Sequence, residues 1–180
     1  MVEKPAKSAH ALSDLLHLVE IRKLPPDRWR EVRSIRLESL RSSPLAFGHT
    51  VVEEALSGER TWRKHMRSGF FAMYEGELVG MIACVFNKSA KFNHVAEIYS
   101  FYVRPGYRGK GIGRALLDRA LVEARRNKRI VKVRLYVNGR QRTAVGMYER
   151  AGFVIAGRLE REMKVGRRLY DMLVMEKASL

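Results

Sequence analysis

Arg108-Gly109-Lys110-Gly111-Ile112-Gly113-Arg114 is the stretch of this chain whose residue types and spacing best suit chemistry. Three glycines alternate with cations immediately before a helical run, Ala115 to Arg126. The first turns of a helix leave N–H groups unpaired and carry partial positive charge. Gly109, Gly111 and Gly113 keep side chains away, so backbone amides there can close on a phosphate. Arg108, Lys110 and Arg114 add charge. The stretch reads as a polyphosphate site, and its other reading is a tight turn with close packing. Two known phosphate patterns fail on spacing. A P-loop needs Ser or Thr after its lysine, and Lys110 is followed by Gly111. A dinucleotide fingerprint needs a glycine where Leu116 stands. Thiol and metal chemistry have little to work with. Cys84 is the only cysteine and lies in an apolar run, which suits a buried thiol. The histidines, at 10, 17, 49, 65 and 94, lack metal-ligand spacing.

The elements that must position this loop can be read around it. Val95 to Val103 is β-branched and aromatic, hence a strand, and Pro105-Gly106 ends it. Strict alternation puts Glu97, Tyr99, Phe101 and Val103 on one face and Ile98, Ser100 and Tyr102 on the other, unless a bulge changes the register. Beyond the loop, Ile112, Leu116, Ala120 and Ala124 recur every four residues as an apolar stripe. Ile130 to Val137 is the next strand, so strand, helix and strand form a right-handed crossover with parallel strands. Upstream come a strand from Val19 to Leu24, a helix from Asp27 to Ser42, a capping box at Thr50-x-x-Glu53 and a turn or two of helix from Thr61 to Arg67. Phe70 to Tyr74 and Leu78 to Phe86 read as a hairpin. Downstream, Arg142 to Arg150 is a short helix with Gly152 as its cap, and Phe153 to Leu159 and Leu169 to Met175 are the last strands. The fold class is α/β or α+β, a mixed sheet with helices on both faces.

A chain of 180 residues, 46% hydrophobic, suits one globular domain. We expect it over residues 18–180, with residues 1–17 as a peripheral extension in which Ser13 to Leu18 forms a short helix. No apolar run approaches the ~20 residues that span a bilayer, and the N-terminus lacks an apolar signal core, so a cytoplasmic protein without membrane contact is expected. The net charge of +16 predicts attraction to polyanions. It is dense around Arg125, Arg126, Lys128, Arg129, Lys132, Arg134, Arg140 and Arg142. That run reads as a solvated basic face or as a surface for nucleic acid or the ribosome. No aromatic RNA-binding motif accompanies it.

The loop resembles the signature of the GNAT superfamily of acyl-CoA-dependent N-acyltransferases: Arg or Gln, x, x, Gly, x, Gly or Ala. Here it reads Arg108-Gly109-Lys110-Gly111-Ile112-Gly113, approached by Phe101-Tyr102-Val103-Arg104-Pro105. About forty residues downstream, Tyr148-Glu149-Arg150-Ala151-Gly152-Phe153 resembles the family's Tyr-Glu-x-x-Gly-Phe. The likeness covers about residues 19 to 177. It implies a mostly antiparallel sheet whose two central parallel strands splay apart, with the cofactor in the gap. It also implies acetyl-CoA as co-substrate, no metal, and acetyl transfer to a primary amine of a small molecule or protein by direct attack. Pantetheine would add to the backbone of Phe101, Tyr102 and Val103, and the pyrophosphate would sit on amides from Gly109 through Ile112 to Arg114.

Tyr148 takes the place of the family tyrosine that protonates the leaving sulfur. By its residues alone it is a core aromatic on an amphipathic helix. Glu97 is the candidate general base, and reads equally as an ion-pair partner of a nearby arginine. Two departures stand out. The family's cofactor-binding asparagine is here Gln141, with Asn138 as a nearby substitute. The glutamate of peptide-acetylating relatives is here Tyr136, which weakens analogy to ribosomal-protein N-terminal acetyltransferases. Arg36 to Leu40 with Ser43 to Gly48 resembles a sub-group of uncharacterised or small-molecule acetyltransferases, where Glu38 could contact an acceptor ammonium. The competing reading is a basic RNA- or ribosome-binding protein that keeps the fold without the chemistry. The sequence suits a monomer or a homodimer equally.

Overall fold

The computed structural model describes residues 17–178. Its strands are β1 (Val19–Arg22), β2 (Gly69–Tyr74), β3 (Glu77–Phe86), β4 (Val95–Val103), β5 (Lys132–Asn138), β6 (Val154–Val165) and β7 (Arg168–Ala178). Its helices are α1 (Trp29–Ser42), α2 (Val51–Ala55), α3 (Glu59–Met66), α4 (Ile112–Arg126) and α5 (Arg142–Arg150). The strands form one sheet in the order β1-β2-β3-β4-β5-β7-β6. All neighbours are antiparallel except β4 and β5. Those two pair only from Val95↔Lys132 to Glu97↔Arg134. Beyond that point β4 follows β3 to Val103 and β5 follows β7 to Asn138, so the central strands part.

Each face of the sheet carries its own core. On one side the α4 stripe sinks into the sheet: Ile112, Leu116, Leu117, Ala120 and Ala124 are at most 1% exposed. Gly80 lets this helix lie directly on β3, because a Cβ there would stand 3.0 Å from Leu116 Cδ1 and 3.1 Å from the Tyr102 carbonyl oxygen. On the other side α1 buries Val32, Ile35 and Leu40 against Phe71, Met73 and Met81. α2 opens with the expected capping box, the Glu53 amide donating to Thr50 Oγ1 and the Thr50 amide to Glu53 Oε2.

The strict alternation expected along β4 does not hold. Met81 pairs with Tyr102 but Ala83 pairs with Tyr99, so β4 carries one extra residue, and Ser100 adopts φ 51. This bulge leaves Ala96 and Ile98 on the α4 side and turns Phe101 and Val103 to that same side. Tyr102 faces α1. The final hairpin is longer than expected, reaching Val165 and starting again at Arg168. Its charged middle, Glu160 to Glu162 within β6, is exposed and carries no burial pattern, while the backbone ladder continues through a register shift between Leu159 and Met163 to the turn at Gly166-Arg167. Conversely, β5 starts at Lys132, and Ile130 fills the core from the loop before it. The expected helix from Ser13 to Leu18 lies mostly outside the described residues. No helix among the described residues is long and apolar enough to cross a membrane.

Candidate functional site

Where β4 and β5 part, a cleft of about 1630 Å³ opens and runs onto the glycine loop. Drug-sized ligands fill ~300–1,000 Å³, so this space suits a longer molecule. One wall is the edge of β4 beyond Glu97, whose backbone has no ladder partner on the β5 side. A strand edge with unpaired N–H and C=O groups is a template for an extended ligand. Phe101, Tyr102 and Val103 all line the cleft. The Tyr102 side chain itself is engaged elsewhere, its hydroxyl 2.9 Å from Ser42 Oγ and donating to Glu38 at 3.1 Å.

The cleft reaches the start of α4. Gly109 and Gly111 adopt φ 74 and 81, which lets the chain turn into the helix without a Cβ in the way. The first intrahelical bond runs from the Ala115 amide to the Gly111 carbonyl at 3.0 Å. The amides of Ile112, Gly113 and Arg114 precede it and have no acceptor within the helix. The cations beside them are largely committed. Arg108 donates to the Val103 carbonyl at 2.8 Å, Arg114 chelates Asp118 at 2.9 Å, and Lys110 lies over the Tyr107 ring. An anion here would therefore be held chiefly by backbone amides. The Ile112 side chain is core, so only its amide is available.

Tyr148 comes from α5. It is 6% exposed and packed between the rings of Phe101 and Phe153, with centroids at 6.0 and 5.8 Å. It lines the cleft, and burial pushes its phenol above the ordinary tyrosine pKa, so it is a protonated donor at neutral pH. Glu97 lies at the last β4–β5 pair and does not reach the cleft wall. Its carboxylate accepts from the Tyr99 hydroxyl and lies 4.0 Å from Arg134. Tyr99 does line the cleft, and desolvation first and the Glu97 bond second push its pKa upward. Glu97 and Tyr99 share a face by ordinary alternation, two residues apart in the regular part of β4.

Gln141 lines the cleft where it caps α5. Asn138 does not: it is 1% exposed, and its Oδ1 accepts from the Arg140 amide at 3.0 Å. Glu38 is likewise occupied, bound by Arg104 at 2.9 Å and by Tyr102. Cys84 is buried, and desolvation pushes its thiol up to about 12, as fits a packing residue. One buried feature went unread in the sequence, the ion pair between Arg36 and Glu54 at 2.9 Å. A signal for it exists. Arg36 falls on the buried face of α1 with Val32, Ile35, Ser39 and Leu40, and a charge on an apolar stripe calls for a buried partner.

A family model described as the acetyltransferase (GNAT) family matches residues 29–153. Over 94 residues, half of this chain, the sequence is 38% identical to an uncharacterized N-acetyltransferase of Methanocaldococcus jannaschii. Over 57 residues, 32% of this chain, it is 47% identical to a mycothiol acetyltransferase of Beutenbergia cavernae. The matched stretches span 41% and 19% of those relatives' lengths. Among solved structures, a GNAT-family acetyltransferase from Streptococcus pneumoniae superposes with a TM-score of 0.79 at 20% identity, covering 89% of this chain and 98% of that one. A Salmonella typhimurium protein solved with its cofactor acetyl-CoA gives 0.76 at 17% identity, over 89% of this chain and 93% of that one. At such identities the superpositions show a shared fold.

Proposed function

The chain belongs to the acetyltransferase (GNAT) family, and on that premise we propose that it moves an acetyl group from acetyl-CoA to a primary amine by direct attack. The observation that carries this reading is the continuous cleft, in which an orphaned strand edge leads onto the orphaned amides of a helix start, with a buried phenol beside them. The donor supplies an activated thioester carbonyl. The backbone of Phe101 to Val103 would hold its pantetheine arm. Amides from Gly109 to Arg114 would hold the pyrophosphate, with Arg108 and Lys110 framing the loop and Gln141 on the opposite wall. Tyr148 holds a proton for the departing sulfur. Tyr99 faces the cleft and hands a proton taken from the amine to Glu97, so the base acts through the phenol that hydrogen-bonds it. Asn138 holds the turn into α5.

Residues 18–180 form the acetyltransferase unit in this reading, with residues 1–17 outside it. A basic RNA- or ribosome-binding protein without catalysis finds no support in relatives that carry acetyltransferase names.

The test is thermal unfolding with acetyl-CoA, with ATP and heparin as charge controls. A ligand at ~100 times its Kd stabilises by about 2.7 kcal/mol. A shift confined to acetyl-CoA supports the reading. Equal shifts with every polyanion would sink it.

A further inference from the structure

Resting on the acetyl-transfer reading, we infer that the amine acceptor carries a carboxylate, and that Arg36, paired with Glu54, is the residue that selects it. Beyond the loop the cleft extends under α1, α2 and α3, where Arg36, Phe47, His49, Glu54 and His65 line it. Arg36 and Glu54 are buried, with 9% and 7% of their side chains exposed. Their bonding is one-sided. Both Nε and Nη2 of Arg36 donate to Glu54 Oε1, at 3.2 and 2.9 Å. Arg36 Nη1 and Glu54 Oε2 are buried with no partner among the described residues. The Phe47 ring covers the guanidinium at 4.6 Å. A buried ion pair is a weak source of stability even when every atom is satisfied. Leaving an N–H and an oxygen unmet adds further cost. The pair makes sense as a docking point whose remaining valence a ligand completes. An unmet guanidinium N–H is a donor for a carboxylate.

The electrostatics of the cleft point the same way. Among the described residues ten lysine and arginine side chains line it, against two carboxylates, Glu54 and Glu123. Both already pair with arginine, although Glu54 keeps Oε2 unmet. Glu54 is bound by Arg36, and Glu123 lies 3.5 Å from Arg119 and 3.8 Å from Arg126. Glu38 and Glu97 are likewise taken, by Arg104 and by Tyr99 with Arg134. A spermidine-like substrate would meet mostly like charge, with the one unmet oxygen of Glu54 as its counter-ion, whereas a carboxylate on the amine meets a cationic lining and the unmet Arg36 N–H.

The acceptor can be a free amino acid or the acidic end of a peptide, and the assay separates them. Thiol release from acetyl-CoA is followed with L-glutamate, L-methionine and L-phenylalanine, with their amides, with spermidine and putrescine, and with tripeptide amides beginning Asp or Ala. A carboxylate-bearing amine should exceed its neutral counterpart in kcat/KM by about tenfold or more, which corresponds to 1.4 kcal/mol. Arg36→Gln alone strands a buried carboxylate, so the working variant is Arg36→Gln with Glu54→Gln. It should erase that preference through the acceptor KM, leaving the acetyl-CoA KM within about twofold. Amides or spermidine equal to the acids, no turnover of any acid, or a preference that survives in the double variant would each overturn the assignment. An acetyl-CoA-specific thermal shift in the same preparation separates that failure from failure of the acetyl-transfer reading.

Discussion

Tyr148→Phe removes one oxygen from a side chain whose ring stays clamped between Phe101 and Phe153. The fold should not notice, so Tm and the acetyl-CoA shift should match the parent. If the phenol protonates the sulfur, steady-state kinetics should show kcat lower by about 10²–10⁴-fold. Full activity in this variant would end that role. The pH dependence follows from burial, which raises the Tyr148 pKa in the folded state. The stabilisation from keeping it neutral is complete below the unfolded value of ~10 and lost as pH rises through the folded one. The acid is protonated over that same range, so wild-type kcat should show no tyrosine-type fall below about pH 10. Glu97 and Tyr99 act as one unit in our reading, since only Tyr99 lines the cleft. Glu97→Gln and Tyr99→Phe should then cost similar factors in kcat, and the double variant little more than either. Additive losses would mean that the two act separately.

At the scale of elements, the cleft rests on how α4 meets the sheet. Gly80 allows the helix to touch the sheet, and Leu116 Cδ1 and the Tyr102 carbonyl already occupy the space of a Cβ. Gly80→Ala should cost about 1–3 kcal/mol through overpacking. Urea unfolding would read this as a lower midpoint at unchanged slope, and an unchanged midpoint would show that the contact can relax. The bulge at Ser100 sets which side Phe101 takes. Without its extra residue, Phe101 would leave the α4 side, where its ring supports Tyr148 and stands 3.3 Å from a Cβ built on Gly113. The α4 stripe and the capping box were legible because each is a local pattern, with period 3.6 in one case and a three-residue reciprocal bond in the other. The bulge and the full length of the β6–β7 hairpin were not, because backbone pairing sets them and side-chain type does not.

At the largest scale, the seven strands among the described residues separate two cores, and the cleft lies where the parallel pair among them, β4 and β5, opens. In the proposed reading the acetyltransferase unit starts at residue 18, so removing residues 1–17 should leave Tm and the acetyl-CoA shift unchanged, as differential scanning fluorimetry would read. A lost shift would place part of the binding unit in that segment. The charge of +16 acts at this scale too. It favours arrival of an anionic donor, through a field that salt screens beyond ~10 Å at 0.1 M.

The sequence by itself determined the glycine loop, the helix behind it, the parallel crossover and the family, because these are contiguous patterns whose physics is local. Phe101 to Val103, the loop glycines and Tyr148 were each named from the chain, and the fold brings them to one cleft. Only the tertiary structure decided what the charged residues do. Glu38 faces Arg104 across 66 positions, Arg36 meets Glu54 across 18, and Glu97 is turned to Tyr99 and Arg134. An exposed carboxylate and a buried, paired one look alike in a sequence. They differ only once desolvation makes a partner obligatory, and the fold chooses that partner.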